Sequence, residues 1–300
     1  MTITNDLHLP EAMVLSVDVA PHNKEGEISA TTLKKGVREI LLEKRHWNEM
    51  SDDVANRIWA IFGTSVHALL ERETPDSFTE EKFTFDVGSY KVTGRVDNYN
   101  MKTETIEDYK TASCWKVIYR DFKDWHSQGL IYAWLLRKAG LSVKRCRFIA
   151  MLKDHSKTKA KTDASYPQSP VYIYEFEITE EELVETEKFI YEKIKQLEDN
   201  ANVSDDDLPL CTEEERWTKP TVYAVMKKGR KTSLRNFEDK SKAEEFVSDY
   251  LKSNPKEVVN IEERKGADGK CSEYCSCCEF CSYYKANYMG GESNGEKTEE

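Results

Sequence analysis

The stretch 90–112, YKVTGRVDNYNMKTETIEDYKTA, decides how this chain is read. Aromatic and β-branched residues alternate with polar ones on either side of a polar, Asn-containing turn, the pattern of two antiparallel strands. Successive strand side chains point to opposite faces, so Asp108 and Lys110 share a side. With the turn centred on Lys102 and Thr103, Asp97 falls opposite Asp108, and a slip of two residues keeps that facing. Two carboxylates and an amine on one small patch suit a cation with a positive donor beside it. Phosphodiester hydrolysis needs such a set. Mg²⁺ or Mn²⁺ takes oxygen ligands, keeps waters and activates one of them, while a lysine stabilises the charge that develops on the phosphoryl group. Asp-x-Lys by itself is common on sheet surfaces, so the triplet gains weight only from its neighbours.

Working outward, FTFDV at 83–87 precedes Gly88-Ser89 and extends the pair into an antiparallel meander over 82–110. Upstream, helical patterning begins near Thr31. A second helix is expected from Ser51, whose hydroxyl suits a cap, to about Glu73. On a helical wheel Ile58, Phe62, Val66 and Leu69 form one apolar stripe, and His67 lies on the other side with Gly63, Ala60 and Glu71. Small residues around a histidine suggest a close approach, with the acid-bearing sheet edge as a candidate and an ordinary surface histidine as the plain alternative. Downstream, a helix over roughly 122–139 ends at Gly140. It carries Gln128 and Tyr132 one turn apart, able to bind phosphates or to hold Lys110. Strands follow at 143–152 and 171–178, and Thr179 with Glu182 reads as a capping box opening an acidic helix to about 199. Residues 221–263 read as a ββαβ module.

The 300 residues allow one large domain or two smaller ones. No apolar window is long enough for a membrane span, and the start lacks a secretory pattern, so a cytoplasmic chain is expected. The net charge of −11 is unlike the basic face of most nucleic-acid binders. The acid is concentrated in 179–215 and in the tail, however, whereas 137–162 and 227–235 are rich in Lys and Arg. Of eight cysteines, five fall within 271–281. In a cytoplasm this clustering reads as metal or iron–sulfur ligation rather than disulfides. Cys271, Cys275, Cys278 and Cys281 would suit a compact zinc site.

Taken in order, Gly63-x-x-x-His67, Gly94-Arg95-Val96-Asp97, Glu107-Asp108-Tyr109-Lys110-Thr111 and Gln128-x-x-x-Tyr132 resemble the PD-(D/E)xK nuclease superfamily. Within it they are most similar to the RecB/AddB-type branch, which includes phage exonucleases. The Pro-Asp of the superfamily name appears here as Val96-Asp97. By motif the resemblance covers about 30–180, and the cysteines extend it to 281. It implies an α/β, restriction-endonuclease-like core over 1–215, with a mixed central sheet flanked by helices. A ββαβ module at 216–265 would follow, then a cysteine segment at 266–285 returning to the core as a metal-stapled C-terminus, and a disordered acidic tail at 286–300. It implies that His67, Asp97, Asp108 and the Tyr109 backbone carbonyl hold Mg²⁺ or Mn²⁺. Lys110 would be catalytic together with Asp97 and Asp108, and Gln128 and Tyr132 would lie near DNA.

In AddB-like nucleases one upstream cysteine joins three near the C-terminus around a [4Fe–4S] cluster. Here no cysteine precedes Cys114, so that correspondence fails, and Cys211 with Cys271, Cys275 and Cys281 is the set chosen; zinc remains the alternative. The function implied is a metal-dependent DNA nuclease, an exonuclease acting on single-stranded or duplex ends in recombination, repair or replication. It would be phage-encoded, with a recombination or replication protein as a possible partner. The alternatives are a catalytically weak DNA-binding protein with a structural zinc or iron–sulfur site, and a nuclease directed at RNA.

Overall fold

A computed structural model describes residues 1–17, 26–71 and 78–289. The last residues of the helix expected to reach 73, and the acidic tail from 290 onward, lie outside them. The chain divides into two compact units, Met1–Val203 and Ser204–Glu300.

In the first unit the alternating stretches become strands of one mixed sheet: β1 (Glu27–Ser29), β2 (Phe78–Val87), β3 (Tyr90–Asn100), β4 (Thr105–Ala112), β5 (Arg145–Leu152) and β6 (Val171–Glu177). β2, β3 and β4 pair antiparallel in sequence, the expected meander, and β1 joins β3 in parallel. Asn98 stands opposite Glu107 and Tyr99 opposite Ile106, so one step further along brings Asp97 to Asp108. β4 and β5 run parallel, and β6 closes antiparallel on β5. A parallel neighbour requires a crossover. It is made by α3 (Cys114–Ile118) and α4 (Lys123–Lys138), which follow α1 (Val37–His46) and α2 (Val54–Glu71) in the chain. α5 (Glu180–Asp199) opens on the expected Thr179–Glu182 capping box.

α4 is the central helix. Ile131, Trp134, Leu135 and Leu136 are buried along it, with Phe148 and Ile106 from the sheet and Ile190, Ile194 and Leu197 from α5. Two glycines let it come close. A Cβ on Gly94 of β3 would lie 2.7 Å from Leu135 Cδ1, and one on Gly129 would lie 2.8 Å from Cys146 Sγ. Gly140, at φ +84°, stops the helix in the left-handed region that glycine adopts without strain.

The N-terminal part of α2 differs from expectation. Ser51–Asp53 pairs in parallel with Thr2–Thr4 rather than capping a helix, and Asp53 Oδ1 takes the backbone N–H of Ala55 at 2.9 Å instead. The apolar stripe of this helix is left largely in solvent, with Phe62 and Leu69 44% and 61% exposed. The face carrying Gly63 and His67 meets the sheet instead: a Cβ on Gly63 would stand 3.6 Å from Thr111 Oγ1 of β4, an ordinary van der Waals contact.

The second unit contains β7 (Val222–Lys227), β8 (Arg235–Phe237), α6 (Lys240–Ser253) and β9 (Val259–Arg264). The strands form an antiparallel sheet in the order β8-β7-β9, with Ala224, Val225 and Ala243 buried. The cysteine segment follows, and here the sequence reading is corrected. Among the described residues no group of three or more His, Cys, Asp or Glu could hold a metal ion. The metal-stapled C-terminus expected of Cys211, Cys271, Cys275 and Cys281 is therefore not found, whether as [4Fe–4S] or as zinc. Cys271 does lie within electrostatic reach of Cys275, Cys211 and Cys281, but burial, reinforced by these neighbours, pushes its thiol up to about 12. Cys277 is buried, and its Sγ lies 3.6 Å from that of Cys275.

Asp268, rather than a metal, ties the segment. This buried carboxylate takes the hydroxyls of Thr218 and of Tyr283 (2.7 Å) and lies 3.3 Å from Arg216 Nε. These bonds hold its pKa below the ordinary carboxylate value against burial, which raises it.

Candidate active site

Four elements of the first unit bring the sequence-predicted residues together. β3 supplies Asp97 and β4 supplies Asp108 and Lys110. α2 leans His67 over Asp97, with Nδ1 3.1 Å from Oδ1. The second Asp97 oxygen takes the backbone N–H of Tyr109 at 2.7 Å. Lys110 Nζ lies 2.6 Å from Asp108 Oδ1, donates to Gln128 Oε1 at 3.2 Å and sits 5.5 Å from the centre of the Phe148 ring. Gln128 Nε2 in turn donates to the Tyr132 hydroxyl at 2.7 Å. The result is a connected set running from a half-buried histidine to a buried tyrosine, with the lysine at its centre.

The electrostatics follow from burial. Asp108 is buried, and the loss of water pushes its pKa up to about 6; Lys110 opposes the rise and Asp97 reinforces it. His67 is raised above its ordinary value, mainly by its hydrogen bond to Asp97 and against the effect of burial. Burial raises Tyr132 and Tyr109.

Two expectations change. The first concerns Gln128 and Tyr132. They are 5% and 6% exposed; Gln128 accepts from Lys110 and donates to Tyr132, an arrangement that fits holding the lysine. The second concerns the Mg²⁺ or Mn²⁺ implied for His67, Asp97, Asp108 and the Tyr109 carbonyl. The absence of any metal-holding group of His, Cys, Asp or Glu among the described residues corrects it. The donors are turned on one another: Asp97 is engaged by His67 and by Tyr109 N–H, and Asp108 by Lys110.

The sequence reading missed Phe148 beneath the lysine, whose only signal was a place in an apolar strand. It also missed Lys34, which feels Lys110, Asp108 and Lys116 and whose pKa burial lowers. Nothing in its local sequence marks it.

No family model matches the chain, and no curated protein matches it. Among solved structures, the protein SSO0001 is 19% identical with a TM-score of 0.42, over 65% of this chain and 84% of that one. An alkaline exonuclease from Laribacter hongkongensis is 11% identical with a TM-score of 0.40, over 58% and 89%. A phage-related exonuclease from Haemophilus somnus 129PT is 11% identical with a TM-score of 0.39, over 58% and 94%. The likeness is distant and lies at the level of the fold. The resemblance to an exonuclease with a C-terminal iron–sulfur cluster is corrected to that extent.

Proposed function

We propose that this chain is a nuclease that hydrolyses phosphodiester bonds in DNA, with Lys110, Asp97 and Asp108 as its catalytic residues. The observation that supports this most is the convergence of His67, Asp97, Asp108, Lys110 and Gln128 from four elements into one hydrogen-bonded and ion-paired set. A surface network of solvated charges would not bury Asp108 or pin its lysine from two sides.

In this reading Asp108 and Gln128 fix the Lys110 ammonium, which neutralises the charge developing on the phosphoryl oxygens. The attacking water forms the new P–O bond and loses its proton to a carboxylate of the Asp97–Asp108 pair. The P–O bond to the leaving nucleoside breaks. His67, whose affinity for a proton Asp97 raises, gives a proton to the departing oxygen in this reading.

The test is a time course on end-labelled single-stranded DNA, duplex DNA and RNA, in buffers with and without divalent salts. DNA is expected to shorten, and stepwise loss from an end marks an exonuclease. Lys110→Ala is expected to lower the rate about a hundredfold or more while leaving DNA binding largely intact. Cleavage by that variant at the wild-type rate would show the catalytic assignment to be wrong. DNA binding without cleavage would instead favour a non-catalytic DNA-binding protein.

A further inference from the structure

Large aromatic side chains stand in solvent beside this site. On α2, Trp59 is 56% exposed and meets Phe62 edge-on, with centroids 6.2 Å apart. On α3, Trp115 and Tyr119 are 56% and 73% exposed, and their rings stack with centroids 5.7 Å apart and planes 19° apart. Leaving four large rings in water forgoes the stabilisation that burial would give them, which marks a surface shaped for a partner.

Their place in the fold says which partner. Trp59 is one turn before Gly63, the point where α2 approaches Thr111 near the end of β4, and two turns before His67. At about 1.5 Å per residue that puts it about 12 Å along the helix from the histidine. α3 begins two residues after β4 ends. Both aromatic pairs therefore lie around the C-terminal end of the strand that carries Asp108 and Lys110. The loop after β5 emerges at the same end, since the Lys153 backbone N–H donates to Ala112 O at 3.0 Å. The Lys153 ammonium sits 3.7 Å from the centre of the Trp59 ring. Asp154 takes the Cys114 N–H at 2.7 Å and Tyr166 donates to Asp154 O at 3.2 Å, so α3 and this loop are held as one body.

Positive charge accompanies the rings. Lys153 is exposed and makes no ion pair among the described residues. Lys157, Lys159 and Lys161 follow it, exposed on the next turn of helix. Exposed rings interleaved with ammonium groups suit unpaired bases, whose faces are free to stack, with the phosphates following the cations. In a duplex those faces are covered by neighbouring base pairs.

We infer that Trp59, Phe62, Trp115, Tyr119 and Lys153 form a platform that binds an unpaired DNA strand and leads it to Lys110. The inference rests on the nuclease reading and names the form of its substrate as single-stranded DNA.

The test uses the full chain carrying Lys110→Ala, so that nothing is cut, and fluorescein-labelled oligothymidylate against a blunt duplex of equal length, read by anisotropy. Trp115→Ala with Tyr119→Ala is expected to weaken oligothymidylate binding about tenfold or more and duplex binding less than about twofold. Trp59→Ala is expected to act the same way, and Trp115→Phe to retain most of the affinity. All four rings are exposed, so the variants keep the core intact. An unchanged affinity for oligothymidylate, or an equal loss on the duplex, overturns the platform. Cleavage by the wild-type chain together with unchanged binding in the ring variants overturns the platform alone. Ring-dependent binding of oligothymidylate without wild-type cleavage supports the platform and overturns the nuclease reading alone.

Discussion

Replacing Asp108 with asparagine tests the electrostatics of the site directly. Burial lifts the Asp108 carboxyl from 3.8 to about 6, a difference of about two pK units, or about 3 kcal/mol. A carboxyl whose folded value is raised contributes stability that is fully present below the unfolded value and is lost as pH rises through the folded one. Between about pH 4 and about pH 7.5, then, the wild-type chain loses stability that Asp108→Asn, which never ionises, retains. The attraction of Lys110 is already contained in the folded value, so it does not need to be added again. The assay is urea unfolding at both pH values, followed by tryptophan fluorescence. Five of the six tryptophans, Trp47, Trp59, Trp115, Trp125 and Trp134, lie in the Met1–Val203 unit, so the signal reports on the body holding the site. The difference in unfolding free energy, variant minus wild type, is expected to grow by about 2–3 kcal/mol from the lower pH to the higher. The variant should lose cleavage as it gains stability, since sites of this kind exchange stability for activity. A difference that does not move with pH would refute the reasoning. A difference that moves in favour of the wild type would mean that the ion pair with Lys110 outweighs burial.

Two further outcomes bear on the same site. In a nuclear magnetic resonance titration His67 is expected to change charge above the ordinary value of 6.5. The stability its charged pair contributes is present below that ordinary value and fades as pH rises through the raised one. Asp97→Asn should bring the midpoint down, and a midpoint indifferent to that substitution would remove the pairing. Gly94→Ala should cost about 1–3 kcal/mol, because the new methyl meets Leu135 Cδ1 at 2.7 Å and Tyr132 Cδ1 at 2.9 Å. A urea midpoint equal to the wild type would show that α4 does not press on β3 as described.

Much of the local structure was legible because its causes are local. Alternation and turn chemistry set the meander of β2, β3 and β4. The spacing around Lys102 and Thr103 set the register that brings Asp97 to Asp108, and the Thr179–Glu182 box and Gly140 marked where helices begin and end. What failed depended on which face meets what. The stripe of Ile58, Phe62, Val66 and Leu69 reads as one apolar side, and periodicity records that a helix has such a side and not where it goes. The other side, with Gly63 and His67, is the one that meets β4, and the rings were left to solvent. The inward turn of Gln128 and Tyr132 likewise depends on Gly94 and Gly129, two gaps on separate strands and helices that matter only when the helix lies across them. The cysteine segment shows the same limit, because spacing along the chain cannot say that Asp268, and not a metal, gathers Thr218, Arg216 and Tyr283.

Asp97 with Asp108 and Lys110 was therefore determined by the sequence alone as a patch of shared facing, because strand periodicity is a property of the backbone. Whether that patch stays solvated or is buried was decided only by tertiary structure, which supplied His67, Phe148 and Gln128 from elements remote in the chain. Burial and a fixed lysine come from long-range packing, and no local pattern encodes it.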